Sequence, residues 1–390
     1  MNGSRRSFLA TGLALPAVAS ATRSEQAPQT PARPPSPAKA LSSGPELRYK
    51  VLGKTGLKVT TVGFGCMVTS DGSVVERAAD MGITYFDTAR NYQSGNNERM
   101  VGAALKKKRK DLVLSTKTEG RTKEDALAQL DTSLKELGTE FVDIWYLHAK
   151  DKPEDVTDGL LEAQQIARKA GKIRFAGVST HSADMVPFLV RNPNVEVILA
   201  QYNFSTAPSM GEGFDLAAKA GKGVVAMKVM AGGFRRQKPD SPLHEKLQRD
   251  GAMLAALKWV LRNPSVHTTI PSMTDMAQLD ENLKACAQPF GAADEKLLAL
   301  QLDHIRPLYC RMCGECAGQC RQGLPVSDVL RFLSYADGYG QFDLGRERFL
   351  TLDAAHTAVR CTECPGCTVQ CPYGVHVAQR LIRAQDLFAC

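Results

Sequence analysis

Residues 112–148 read LVLSTKTEGRTKEDALAQLDTSLKELGTEFVDIWYLH, and this stretch decides the fold. Leu112–Lys117 and Val142–His148 are short runs rich in aliphatic, β-branched and aromatic residues, as buried strands are. Between them, Thr122–Leu137 repeats its apolar residues at helical spacing. Strand, helix and strand in that order make one β–α–β unit, whose two strands pair in parallel.

The same cadence continues on both sides. Thr61–Gly65, Thr84–Asp87, Ile173–Ser179, Val197–Gln201, Val224–Lys228 and Thr268–Ile270 are strand-like, and Pro153–Ala170 and Gly251–Leu261 are helical in period. Eight β/α repeats over roughly 230 residues predict an α/β fold, a (β/α)8 TIM barrel. A doubly wound sheet fits less well, because no G-x-G-x-x-G follows an early strand. Ahead of the repeats, Leu47–Leu52 and Leu57–Val59 flank Gly53-Lys54-Thr55-Gly56 and read as a β-hairpin. Barrel chemistry sits at the C-terminal ends of strands. That rule selects Asp87, Tyr92 in the loop beyond it, Lys117 and His148 as candidate catalytic residues.

Composition narrows the classes. The chain has 390 residues, 43% hydrophobic and 23% charged, which excludes a wholly disordered chain, a fibrous repeat and a polytopic membrane protein. The net charge is +8, but residues 1–45 hold five basic residues against Glu25 alone. The remainder is only weakly basic, so no nucleic-acid partner is expected. The densest basic run, Lys106–Lys110, falls where a helix gives way to a strand and reads as a solvated helix end.

The N-terminus reads as an export signal. Ser4-Arg5-Arg6-Ser7-Phe8-Leu9 precedes a modest apolar run and then small residues at Ala17–Ala21. The twin arginine followed by Phe-Leu resembles a bacterial Tat signal. Phe8–Ala19 is interrupted by Thr11, Gly12 and Pro16 and is too short to span a bilayer, so no stable membrane anchor is expected. Residues 1–21 are read as the signal and 22–45 as a Pro-rich linker. The expected location is periplasmic, with a cytoplasmic protein as the alternative.

Cysteine carries the most specific pattern. Eight of eleven cysteines form two runs, Cys310-x2-Cys313-x2-Cys316-x3-Cys320 and Cys361-x2-Cys364-x2-Cys367-x3-Cys371-Pro372. Bacterial ferredoxins hold [4Fe–4S] clusters with this spacing, the fourth Cys of each run serving the other cluster. Two clusters are therefore expected, one on Cys310, Cys313, Cys316 and Cys371, the other on Cys361, Cys364, Cys367 and Cys320. Zinc sites more often show separated C-x2-C pairs. Arg321 stands where a Pro commonly follows the fourth Cys. Cys66, Cys286 and Cys390 are assigned no role.

Several segments together resemble the aldo-keto reductase superfamily. They are Phe86–Tyr92, Glu98–Leu105, Ser115–Lys117, Asp143–His148, Gly177–Ser179, Gln201–Asn203 and Ile270–Asn282. The resemblance implies a nicotinamide-dependent carbonyl/alcohol oxidoreductase. Tyr92 would give a proton to the carbonyl oxygen, and Lys117 would lower the phenol's pKa from its ordinary ~10. Asp87 would orient Lys117, and His148 would hydrogen-bond the substrate oxygen. Ser179, Thr180 and Gln201 would hold the carboxamide, with Thr180 in place of a more usual Asn. Met227 would lie against the nicotinamide, with Lys228 beside it, and Gly232-Gly233 would open a loop over the pyrophosphate. Ser272 and Gln278 stand where basic residues would grip a 2′-phosphate, and Asn282 would meet the adenine. NADP(H) and NAD(H) both remain open.

The C-terminal part resembles the helical type of ferredoxin domain fused to some aldo-keto reductases. Val326–Tyr335 and Val375–Leu387 read as helices, the first broken at Gly338-Tyr339-Gly340. The division expected is a barrel over 46–305 and a ferredoxin-type domain over 306–390. The combined expectation is an oxidoreductase acting on a small carbonyl or alcohol, its electrons passing through the clusters to an unknown one-electron partner. The alternatives are an electron-transfer or binding protein with an idle barrel, and a cytoplasmic reductase whose clusters are structural.

Overall fold

The computed structural model describes residues 46–206, 208–233 and 242–389. The export signal, the Pro-rich linker and most of the loop after Gly233 lie outside the described residues. Among the described residues no helix is long and apolar enough to cross a membrane.

The chain opens with strands β1 (Tyr49–Val51) and β2 (Lys58–Thr60), paired antiparallel with Tyr49 opposite Thr60. Eight parallel strands follow in chain order: β3 (Phe64–Gly65), β4 (Tyr85–Asp87), β5 (Val113–Thr118), β6 (Val142–Leu147), β7 (Ile173–Thr180), β8 (Val197–Gln201), β9 (Gly223–Met227) and β10 (Thr268–Thr269). Parallel bridges Val62–Thr269 and Gly65–Ser272 close the ring. The fold is the TIM barrel that the eight strand-like runs predict. Strands β5 and β6 are buried along their whole length, as parallel strands covered on both faces must be.

Local rules set the helix ends. The Thr122 hydroxyl accepts the Asp125 amide at 3.2 Å to start helix Lys123–Leu137. Gly138, at φ +63°, ends it in the left-handed conformation. The predicted helix 153–170 is divided, because Thr157 caps a fresh start at Asp158.

The hairpin plugs the barrel's N-terminal end. Leu52, Leu57 and Val59 pack with Tyr85, Ile144, Val197 and Val225 in one buried cluster. Gly53 lies so close to β9 that a β-carbon there would stand 2.5 Å from the Gly223 nitrogen. Deeper inside, the Tyr85 and Tyr146 hydroxyls satisfy one another at 2.9 Å. The opposite, C-terminal end of the barrel is left for chemistry.

Beyond helix Ala292–Ile305 the chain forms a smaller helical region with its own apolar core. Val329, Leu330, Leu333, Phe349, Leu381 and Phe388 are its centre, and five cysteines of the two runs, Cys310, Cys316, Cys320, Cys361 and Cys371, pack at its edge. Asp337 draws its helices together through Arg380 at 2.6 Å and Arg383 at 2.7 Å. Helices Val326–Asp337 and Val377–Phe388 match the sequence reading, whereas Phe342–Leu350 and Ala354–Ala358 were not anticipated from it. The break at Gly338–Gly340 is a turn laid against the barrel, as shown below.

Candidate active site

Four side chains converge at the barrel mouth because four chain segments end there. Asp87 closes β4 and Lys117 lies near the end of β5, each about 1% exposed. Lys117 Nζ donates to Asp87 Oδ2 at 2.5 Å and to the Thr88 carbonyl at 2.7 Å. The Ser115 hydroxyl donates to the other carboxylate oxygen at 2.7 Å. A buried ion pair persists only when its remaining polar positions are filled, as here. Burial pushes the Asp87 carboxyl above its usual range, against the pull of Lys117 and Ser115.

Tyr92 reaches the pair from the loop after β4. Its ring centroid is 4.8 Å from Lys117 Nζ and 5.8 Å from the His148 ring, which meets it edge-on. The loop holds Gln93 and Ser94 at φ +51° and +53°, conformations that cost free energy in residues other than glycine. Gln93 anchors it by donating to the Thr69 carbonyl at 2.8 Å.

The Tyr92 phenol is pushed well above 10, first by burial and then by Asp87. This is opposite to the direction expected from Lys117. The ammonium is matched by the carboxylate it touches, so little net positive charge remains to favour a phenolate. The consequence is a phenol that keeps its proton, which a proton donor requires. His148 is pushed well below 6.5 by burial and by the neighbouring cations Lys117 and Arg348, so its imidazole is neutral. A neutral imidazole has one N–H to offer a substrate oxygen.

The C-terminal helices roof this mouth. A cavity of about 180 Å3 is lined on the barrel side by Asp87, Tyr92, His148, Met227 and Lys228, and on the roof side by Arg331, Tyr335, Tyr339 and Arg348. Arg348 binds Glu119 at 2.8 Å, and Glu119 lies 3.4 Å from His148 Nδ1. Arg331 meets the His181 ring at 2.9 Å and lies 3.5 Å from Asp151. None of these roof residues, nor Glu119, Asp151 or His181, was marked in the sequence. The only signal was the amphipathic period of 326–335, which shows an apolar face but not what the polar face covers.

The nucleotide candidates divide into two sets. The Ser179 hydroxyl accepts the Ala149 amide at 2.8 Å, and Thr180 donates to Asp151 at 3.0 Å. Both are thus engaged within the protein. Gln201 Nε2 donates to the Arg311 carbonyl at 2.7 Å, leaving its Oε1 buried without a partner among the described residues. Asn282 is fully buried, and neither its Oδ1 nor its Nδ2 has a hydrogen-bond partner among them. Met227, Lys228, Ser272 and Gln278 line the cavity. Orphaned amides at Gln201 and Asn282 fit a ligand that brings its own donors and acceptors.

The cysteines gather into two groups. Cys310, Cys313, Cys316 and Cys371 rim one cavity. Cys361 has Cys364, Cys320 and Cys367 as its near neighbours. Burial pushes Cys310 up to about 12 and Cys361 up to about 11, and neighbouring thiols push the same way. Such thiols ionise readily only when a cation replaces their protons. A rimmed cavity suits a cluster that fills the space between its ligands. The two runs are tied by Gln319, which accepts from Thr368 Oγ1 at 2.6 Å and from the Gln370 amide at 2.7 Å. Cys66, at the end of β3, and Cys286 are buried in the barrel's apolar core.

With this geometry in hand, the likeness to known proteins is specific. The Aldo/keto reductase family model matches residues 69–252, and the 4Fe-4S dicluster domain model matches 307–375. The uncharacterized oxidoreductase YqkF of Bacillus subtilis is 27% identical over 67% of this chain and 98% of its own. L-glyceraldehyde 3-phosphate reductase of Escherichia coli K12 is 26% identical over 62% of this chain and 88% of its own. Among solved structures, aldo-keto reductase AKR11C1 from Bacillus halodurans superposes with a TM-score of 0.57 at 26% identity, covering 65% of this chain and 96% of that one. The barrel is thus similar to aldo/keto reductases, and the helical region joined to it is similar to 4Fe-4S dicluster domains.

Proposed function

We propose that the protein is an oxidoreductase that interconverts a small carbonyl compound and its alcohol with NAD(P)(H), coupled to two [4Fe–4S] clusters. The observation that carries this reading is a single hydrogen bond. Gln201, at the end of a barrel strand, donates to the carbonyl of Arg311, which follows Cys310 directly. The mouth of the barrel and the first cysteine run are therefore in contact.

The nucleotide, when bound, would supply or accept hydride. Gln201, Met227, Ser272, Gln278 and Asn282 are the residues that would hold it. The rest follows from the chain's own groups. Tyr92 keeps its proton until a substrate oxygen develops negative charge, then transfers it. The neutral His148 donates a hydrogen bond to the same oxygen and sets its position. Ser115 holds Asp87 and Asp87 holds Lys117, which fixes the ammonium against the Tyr92 ring and keeps the phenol in place. The roof of Tyr335, Tyr339 and Phe332 excludes water, which strengthens each of these interactions.

The two groups of cysteines, one of them rimming a cavity, support the reading of two clusters and an electron path toward an unidentified one-electron partner. Export by the twin-arginine route, inferred from Arg5-Arg6, would deliver the protein folded and with its clusters in place. NAD(P)H-dependent reduction of a panel of aldehydes and ketones, compared with the Tyr92→Phe variant, tests the catalytic reading. Turnover that falls at least ~100-fold supports it. Turnover unchanged by the substitution favours an idle barrel serving electron transfer or binding.

A further inference from the structure

Two tyrosine–lysine pairs meet at this cavity, which is lined by Tyr92 of the first and by both members of the second. Tyr92 and Lys117 both belong to the barrel. The second pair is split between regions: Lys228 leaves the end of β9, and Tyr335 comes from helix Val326–Asp337 of the roof. In each pair the ammonium nitrogen stands 4.8 Å from the ring centroid. Lys228 holds φ +54°, a strained conformation for a lysine, and Asn203 Nδ2 fixes its carbonyl at 3.0 Å. The Tyr335 ring is stacked on Tyr339 at 5.9 Å, so its direction is fixed as well. Among the described residues Lys228 forms no ion pair; its contacts are the rings of Tyr335 and Tyr339.

The surroundings of the two phenols are opposite in sign. Tyr92 is buried beside Asp87 and keeps its proton. Tyr335 is also buried, yet the charges of Lys228, Arg331 and Arg348 hold it below the usual 10. The nearby carboxylates are matched to the arginines, Glu119 to Arg348 and Asp151 and Asp328 to Arg331, which leaves the Lys228 charge beside Tyr335 without a carboxylate partner among the described residues. The imidazoles of His148 and His181 are kept neutral by burial, His181 down to about 4. The phenols of Tyr309 and Tyr339 are pushed up by burial and hold their protons.

We propose that Tyr335, with Lys228 beside it, is a second proton-transfer residue of this cavity, and that the site enolises aldehydes and ketones that carry a hydrogen on the carbon next to the carbonyl. The inference rests on the reading of the barrel as a carbonyl site, but not on the nucleotide or the clusters. The Tyr335 oxygen takes the proton from the carbon next to the carbonyl. The C–H electron pair becomes the C=C bond of an enol, and the displaced carbonyl pair takes the proton of Tyr92. Reversal returns a proton to carbon, and no electrons leave the substrate.

Dihydroxyacetone in D2O, with the cluster-loaded full chain and no added nucleotide, is the direct probe. Proton NMR follows loss of the carbon-bound hydrogen signal. The wild-type protein is expected to exchange it faster than buffer, and Tyr335→Phe to lower that rate at least ~100-fold. Lys228→Met is expected to move the exchange rate's pH limb upward while keeping the Fe–S visible absorption. No exchange above buffer by the wild type overturns the proposal. So does equal exchange by Tyr335→Phe, or an unmoved pH limb in Lys228→Met if Tyr335→Phe does not fold. Benzaldehyde, which has no such hydrogen, separates the two readings. Exchange without NAD(P)H-dependent benzaldehyde reduction supports Tyr335 and counts against the nucleotide-dependent function.

Discussion

Gly338 and Gly232 meet backbone to backbone: a β-carbon on Gly338 would lie 1.8 Å from the Gly232 carbonyl oxygen. Next to them, a β-carbon on Gly233 would stand 2.5 Å from the Tyr339 ring. The turn that breaks the roof helix is thus seated on the loop after β9. Barrel and roof share a contact that only glycine allows.

Gly338→Ala therefore forces the two regions apart. Overpacking of this kind costs about 1–3 kcal/mol. The expected result is a lower denaturant midpoint for the cluster-loaded protein, with weaker nucleotide binding because the roof shifts. An unchanged midpoint would show that the roof does not rest on this contact.

The buried ion pair makes a second prediction. Asp87→Asn leaves the Lys117 ammonium buried without its counter-charge, and breaking such a pair costs about 3–5 kcal/mol. Replacing both, as Asp87→Asn with Lys117→Met, is expected to recover much of that stability while leaving turnover lost. Chemical denaturation of the three variants alongside the wild type measures the difference.

Stability is expected to depend on pH through two buried histidines. His148 and His181 are both held below 6.5 in the folded state, His181 at about 4. Below pH 6.5 the unfolded chain binds protons that the folded chain refuses, so the folded state loses stability as pH falls. Each histidine contributes up to about 1.4 kcal/mol per pH unit in that window. His181→Gln is expected to flatten the slope between pH 6.5 and 5; an equal slope would contradict the assignment.

Arg348 is expected to tune His148 from the roof. Its charge helps to hold His148 neutral, and it neutralises Glu119 beside the imidazole. Removal by Arg348→Ala leaves the Glu119 carboxylate free to favour imidazolium. The His148 pKa should rise, which NMR titration of the ring protons would show, and the acid limb of turnover should move with it. An unmoved resonance would place Arg348 outside the site's electrostatics.

Much of the barrel was legible because its signal is local. Each strand is a short apolar run, and each catalytic candidate follows from the rule that chemistry sits at strand ends. Thus Asp87, Lys117, Tyr92 and His148 could be named before their contacts were known. The two cysteine runs are legible for a similar reason, since their spacing is written within short stretches of chain. The roof was not. Arg331, Tyr335 and Arg348 reach the barrel across more than a hundred residues of chain, and nothing in their neighbourhood marks that destination. The raised Tyr92 pKa is not legible, because a sequence shows which charge is near but not how deeply the pair is buried. The engagement of Thr180 by Asp151 was hidden in the same way, since it joins two different loops.

The central claim is that the barrel site and the clusters form one redox unit. It is tested most directly by adding NADPH and, separately, NADH to the anaerobic cluster-loaded protein while following the broad visible Fe–S absorption. The account predicts bleaching with at least one nucleotide, at a rate lowered when Gln201 is replaced by Leu. Full nucleotide binding with no bleaching by either would contradict it and leave the clusters structural or separately wired.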